Sequence, residues 1–400
     1  MKQCNLLKIS LAILSTILLS ACESDDDNNG FSTFENITVV QSSGGGESQV
    51  EFTDGRSIIE SGFLPQTATD YSVFANGEYF YQLGKYNIDT IQKYHVDSPE
   101  LGYYPDNGYV LRESGTEASV NPHSIVFLND EANTAVITRY GHTDSWVVNL
   151  NAMTFDDFII KKLDLSHHAD PVSESDNDPE ASMAFIKGDK LFITLQNLDG
   201  YTSTTNAKVA VFDTTSWEEI DTDLTTEGTQ AISLTLQNHQ SSTIYNNKIY
   251  LGSLVYGTYG TDEPNTGGIE MIDTNTLSST LITDEVAVSR ITVDGSGTVF
   301  FSDYESWENN TLYVLNNDNS YNAISDDFSG INITALASPG DSIWIGSNSF
   351  DSNDDDISDN QILRLDSTLD YSESKSFDDI VLSSVETALK PIGISFLELD

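Results

Sequence analysis

Short apolar runs alternate with turn chemistry along almost the whole chain, and six of these runs recur at a characteristic spacing. Centred on Phe80, Val136, Phe192, Tyr250, Phe300 and Trp344, they lie roughly 44 to 58 residues apart. Each is rich in β-branched and aromatic residues, as in Thr134-Ala-Val-Ile-Thr138 and Lys190-Leu-Phe-Ile-Thr194, a composition that predicts strands. A turn signal precedes every run (Asn76-Gly77, Asn129-Asp130, Lys187-Gly188, Asn246-Asn247, Gly295-Ser296-Gly297, Pro339-Gly340), and another short strand precedes the turn. Strands so joined form hairpins. Beyond each run a third apolar strand closes on a polar residue, in Val96-Asp97, Val148-Asn149, Phe212-Asp213, Ile272-Asp273, Leu315-Asn316 and Leu365-Asp366. A fourth, outer strand follows in most repeats, most clearly at Glu218-Glu-Ile-Asp-Thr222.

Four antiparallel strands in a repeat of about 40 to 50 residues make the blade of a β-propeller. Six full blades fit between Asp70 and Asp379. The chain ends supply complementary pieces. Pro391-Ile-Gly-Ile-Ser-Phe-Leu397 reads as a first strand with nothing after it, whereas Ile37-Thr-Val-Val40, Gln49-Val-Glu-Phe52 and Ser57-Ile-Ile59 read as three strands lacking a first. Joined, they predict a seventh blade that closes the ring and leaves no free sheet edge. The expectation is an all-β, seven-bladed propeller over 34–400, with six and eight blades as the neighbouring counts. One short helical turn is expected between Asp378 and Leu389.

Two segments carry a family likeness. Lys208-Val-Ala-Val-Phe-Asp-Thr-Thr215 and Gly268-Ile-Glu-Met-Ile-Asp-Thr274 resemble the YVTN-type β-propeller repeat, whose strand often ends in a hydrophobe, Asp and Thr. Asn121-Pro-His-Ser-Ile-Val-Phe127 with Ala135-Val-Ile-Thr-Arg-Tyr140 resembles the matching first and second strands. The resemblance spans about 34–400 as a pattern of short motifs, and it implies fold more than activity. It implies an extracytoplasmic binding or scaffolding protein.

The N-terminus has a different grammar. Lys2 and Lys8 precede an apolar run from Ile9 to Leu19 and the lipobox Leu19-Ser20-Ala21-Cys22. The run falls short of the roughly 20 residues needed to span a bilayer, so 1–21 reads as a lipoprotein signal peptide. Cys22 is then the lipid-bearing first residue of the mature chain. The segment 22–33, with Glu23-Ser24-Asp25-Asp26-Asp27, is a polar tether and resembles the acidic export tract of surface lipoproteins in Bacteroidota. The expected location is the outer membrane, facing periplasm or cell surface.

Charge narrows the partners. With 17 basic and 63 acidic residues the formal charge is −46, a field that repels phosphate backbones and argues against nucleic acid. The cysteines are two, Cys4 and Cys22, one lost with the signal peptide and one lipidated, so no disulfide and no thiol chemistry is expected in the folded part.

Residues leading into the first strand of each blade converge on the channel mouth, where ligands commonly sit. Alignment on the turns places Asp70, Tyr71, His123, Glu180, His239, Gln240, Arg290 and Thr334 there. Two histidines with Glu180 suit a transition metal, and Arg290 suits an anionic ligand. His167-His168-Ala-Asp170 with Glu174, Asp176, Asp178 and Glu180 crowds oxygen ligands at alternate positions, as calcium prefers; adjacent histidines are awkwardly spaced for one zinc. Asp351-Ser-Asn353-Asp-Asp355 resembles the opening of a calcium loop but lacks its glycine and closing glutamate. No nucleophile elbow, His-Glu-x-x-His, phosphate loop or haem motif is present. The expected function is binding of a ligand or protein partner through the channel face. The alternatives are a propeller hydrolase or lyase acting on extracellular polymer, and capture of a metal or siderophore with an outer-membrane transporter.

Overall fold

A computed structural model describes residues 38–398 apart from short segments at 114, 116–117, 129–132, 170–176, 200–201, 204, 259–262, 307–309, 326–327, 329–330 and 350–359. The chain forms a seven-bladed β-propeller. Blade 1 starts at Tyr71–Asn76, blade 2 at Pro122–Phe127, blade 3 at Ala181–Lys187, blade 4 at His239–Tyr245, blade 5 at Val288–Val293 and blade 6 at Ile331–Ala337. In blade 7 the innermost strand is Lys390–Phe396, which pairs antiparallel with Thr38–Gly44; Glu47–Thr53 and Ile58–Gln66 lie outside it. The seven innermost strands touch in ring order, and Lys390–Phe396 packs against both Ile331–Ala337 and Tyr71–Asn76.

The apolar runs are continuous because both faces of each blade are buried. Successive side chains on a strand point to opposite faces, and here each face meets a neighbouring blade. In blade 2, Ala135 and Ile137 join the core shared with blade 1, while Val136 joins the core shared with blade 3. Likewise Leu191 and Ile193 face blade 2, and Phe192 faces blade 4. Ile343 and Ile345 face blade 5, and Trp344 faces blade 7. Fully burying one such side chain contributes about 1.5 to 3 kcal/mol, so the interfaces hold the blades in the ring.

Two local devices recur. The residue ending the third strand accepts from the amides just beyond it: Asp213 Oδ1 from Thr215 and Ser216, Asp273 Oδ1 from Asn275 and Thr276, and Asp366 Oδ1 from Thr368. These amides hold the Asp213 and Asp273 carboxyls below their usual range. The hydrophobe-Asp-Thr pattern is therefore a strand terminator made by side-chain turn capping. The second device leads into the outer strands of blades 2 and 6. Thr154-Phe-Asp-Asp-Phe158 and Ser376-Phe-Asp-Asp-Ile380 each form one helical turn, with the Thr154 and Ser376 hydroxyls donating to Asp157 and Asp379 at 2.7 Å. Phe158 and Ile380 plug the core beneath.

Blade 3 departs from the expected outer strand. Glu218-Glu-Ile-Asp-Thr222 makes only the bridge Phe212↔Glu219, and Ile232–Ser233 completes the sheet by pairing with Lys208 and Val209. The outer edge is split because Trp217, at φ 58°, turns the chain sharply after Asp213.

Gly55 shows how tightly the closing blade meets blade 6. It has φ +79°, and a Cβ there would lie 2.5 Å from the Trp344 ring. Gly55→Ala is expected to lower stability by about 2 to 4 kcal/mol, from positive φ and overpacking together. Urea unfolding checks this; Gly62→Ala, with φ +75° and open space, should cost only the backbone part.

Candidate functional site

The channel mouth is built from two positions that recur in blades 1 to 5. The residue before the first strand offers its carbonyl to the amide that follows the second strand: Asp70 to Lys85, Asn121 to Tyr140, Glu180 to Gln196 and Ala287 to Tyr304. Asn121, Glu180 and Asn238 reach this geometry with φ of 43°, 50° and 46°, a left-handed turn that asparagine tolerates well. Just beyond, the first strand carries an extra residue in blades 2 to 7, a bulge recorded as a register shift against the second strand. Second-strand hydroxyls support it: Thr138 Oγ1 accepts from the Ser124 amide, Thr194 Oγ1 accepts from the Met183 amide, and Ser302 Oγ bonds Ser289 Oγ at 2.8 Å. Bulges re-aim the side chains around them.

Two groupings result. In the first, the His123 ring stacks on Tyr140 at 4.3 Å, Tyr140 Oη donates to Gln196 Oε1 at 2.8 Å, and Gln196 Nε2 donates to the His239 carbonyl at 2.6 Å. Asp70 beside it pairs with Lys85 at 3.1 Å. Burial, reinforced by the Lys85 cation and partly offset by Asp70, depresses the His123 pKa to about 3. Tyr71 donates to Gln66 Oε1. In the second grouping, Arg290 Nε donates to the Thr334 carbonyl at 3.1 Å and Nη1 to the Ser289 carbonyl at 2.7 Å. Burial lowers its pKa, yet a guanidinium stays charged. Among the described residues no carboxylate lies within 4.0 Å of Arg290. The Tyr256 and Tyr304 rings meet edge to face at 5.4 Å, and the residue before Tyr304, Asp303, has its carboxyl raised to about 6, by burial first.

Not every expected residue is available at the mouth. The aligned strand starts were offset by up to three residues, so residues of different depth had been grouped together. Glu180 is 4 % exposed and its Oε2 accepts from the Leu198 amide, so the carboxylate clamps the following loop. That use also weighs against Glu180 as a catalytic acid or base. His239 is fully buried with Nε2 3.7 Å from Glu270. Burial pushes the Glu270 carboxyl up, but His239 and the amides of Thr235 and Leu236 outweigh it and hold it below the usual range. Gln240 and Thr334 bond the backbone carbonyls of Leu254 and Pro391. Asp178 is half-buried, and Cys22, Asp170, Glu174, Asp176, Asp351, Asn353 and Asp355 lie outside the described residues. Lys85, Tyr140, Gln196 and Tyr304 were missed. The last three sit two residues beyond the second-strand hydroxyls Thr138, Thr194 and Ser302, a spacing the sequence displays.

Away from the channel, two clusters bring three metal-capable side chains together: His167, His168 and Glu219, and Glu113, His142 and Asp144. On the face opposite the strand starts, a cleft of about 670 Å³ opens between blades 4, 5 and 6, lined by Tyr250, Met271, Val299, Leu315 and Tyr371.

No family model matches the sequence, and no curated protein is similar to it. Solved structures are similar in fold. A functionally unknown protein from Desulfotomaculum acetoxidans aligns with TM-score 0.53 and 13 % identity over 91 % of this chain and 100 % of its own. Kuenenia stuttgartiensis hydrazine synthase aligns with TM-score 0.52 and 11 % identity, covering 81 % and 88 %. The Neurospora crassa Pan2 WD40 domain aligns with TM-score 0.51 and 8 % identity, covering 78 % and 85 %. The shared feature is the propeller.

His123 makes the site testable by pH. An unfolded imidazole titrates near 6.5, whereas the folded group stays neutral down to about 3. Above 6.5 the residue contributes nothing; as pH falls from 6.5, the unfolded chain alone takes up the proton and stability is lost. His123→Gln should therefore lose about 1 to 2 kcal/mol less stability than wild type between pH 7 and 5, measured as urea midpoints.

Proposed function

We propose that this chain is a lipid-anchored binding protein of the YVTN-type propeller class, held at the outer membrane through Cys22, whose channel mouth takes a small organic anion. The observation that carries the ligand reading is Arg290. Its guanidinium donates to two carbonyl oxygens, and among the described residues it has no carboxylate within 4.0 Å. Such a charge is costly until an anion pairs with it. In a chain with 63 acidic residues, a position with no carboxylate neighbour among the described residues suits an anionic ligand. Tyr256 and Tyr304 supply apolar ring surface beside it, and His123, kept neutral, can donate or accept a hydrogen bond without adding charge.

Thermal melts of the full-length chain in detergent test this with acetate, citrate, gluconate and galacturonate. At least one should raise the wild-type Tm progressively with concentration. Arg290→Met should abolish that shift while leaving the unliganded Tm equal or higher, because a half-buried charge with no carboxylate partner among the described residues has been removed. No shift with any of the four anions, or an undiminished shift in Arg290→Met, sinks the reading.

The anchor is tested separately. Cys22→Ala should abolish labelling by radioactive palmitate and release the protein from the outer-membrane fraction. Retention in that fraction without label would overturn lipidation as the anchor.

A further inference from the structure

The groove between blades 2 and 3 holds a convergence of ligating atoms that the channel does not use. His167 and His168 lie on the 3-10 turn Ser166–His168, which follows the outer strand of blade 2. The turn is anchored by the Ser166 amide donating to Asp164 Oδ1 and the His168 amide to the Leu165 carbonyl, both at 2.9 Å, with Leu165 buried in the core beneath. Glu219 comes from blade 3, where its bridge to Phe212 and the Trp217 turn fix its direction. Both imidazoles aim Nε2 at this one carboxylate: His167 at 2.9 Å from Oε2 and His168 at 2.5 Å from Oε1. The rings lie 4.0 Å apart and tilted, so adjacent residues reach the same point despite their awkward spacing.

We propose that His167, His168 and Glu219 form a binding site for a divalent transition metal ion, with zinc as its natural class of occupant. Two imidazole nitrogens and a carboxylate match the donor set of open zinc sites, which keep a fourth position for water. Calcium would need six or more oxygens, whereas among the described residues one carboxylate, that of Glu219, groups with the two imidazoles. The three ligand atoms lie within 4.8 Å of one another, so a modest separation admits an ion at the ~2.0 to 2.2 Å bond lengths zinc requires. His168 and Glu219 have side chains 4 % and 10 % exposed, so two of the three ligands are already desolvated and held by packing.

The second cluster shows what a satisfied carboxylate pair looks like. Glu113 and Asp144 are bound by the buried Arg139, and Glu113 also by Lys162 at 2.8 Å. Their charge is already neutralised, and a metal would have to displace a guanidinium. Among the described residues Glu219 has no lysine or arginine within 4.0 Å; its partners are the two imidazoles.

Zinc titrated into metal-stripped full-length protein in detergent, followed by calorimetry and by competition with a chromophoric chelator, tests the site. Wild type should bind one tight equivalent, and cobalt in its place should show the visible bands of a four-coordinate ion. His167→Ala, at a side chain 42 % exposed, should keep the metal-free melting temperature and weaken zinc at least tenfold. Glu219→Gln should do the same, and His142→Ala should change nothing. Absence of zinc binding in wild type, or unchanged affinity in both His167→Ala and Glu219→Gln, overturns the proposal. The readout is independent of Arg290, so failure at one site is separable from failure at the other.

Discussion

Pairing between the two ends of the chain holds the ring shut. Blades with two apolar faces have no stable existence singly; each needs a neighbour on both sides, and the last must find the first. Lys390–Phe396 does this by taking the innermost place beside Thr38–Gly44. Its side chains then lock the adjoining blades, since Trp344 meets Phe396 at 5.4 Å and Ser395 Oγ accepts from the Ala75 amide at 2.7 Å. Buried polar groups tie the same seam: Glu51 accepts from Ser42 Oγ and from the Ala388 amide, and Gln82 Nε2 of blade 1 donates across to Gln41 Oε1. The channel inherits its width from this closure, because every innermost strand is positioned by the two beside it.

The blade count and the closing strand were legible because burial on both faces leaves a strong imprint. A run such as Ala135-Val136-Ile137 must be apolar at every position, and the Asp or Asn ending a third strand must cap a turn. The depth of a residue along the first strand was not legible. One extra residue at the bulge shifts everything after it, and the turns used for alignment lie at the far end of the hairpin. Glu180 and His239 were thus grouped with His123 although they belong one to two positions earlier, where side chains serve loop and interblade backbone. The second-strand hydroxyls Thr138, Thr194 and Ser302 lie on the near side of the bulge and register the mouth better. Glu219 was illegible for another reason: its meeting with His167 and His168 depends on the split edge of blade 3, which no local pattern announces.

Charge bears differently on the two proposed sites. Several of the few basic groups are spent inside. Arg139 stacks on Trp146 at 4.1 Å while bound to Glu113 and Asp144, and Lys93 lies over Tyr79 at 4.1 Å with its pKa lowered to about 8 by burial. Glu51, Asp89, Glu180, Glu270, Asp294 and Asp303 are buried as well, and the formal charge of −46 still leaves the exterior strongly acidic. That field raises the local concentration of divalent cations and favours their encounter with Glu219 and its histidines. It opposes an organic anion approaching Arg290, but only to within a screening length of about 8 Å at physiological salt. Inside that distance the desolvated guanidinium dominates. Recognition at the proposed channel site would accordingly be short-ranged and selective for a ligand small enough to leave the surface field behind, whereas a metal proposed for the blade 2 and 3 groove would be drawn from afar and selected by two nitrogens that calcium and magnesium do not favour.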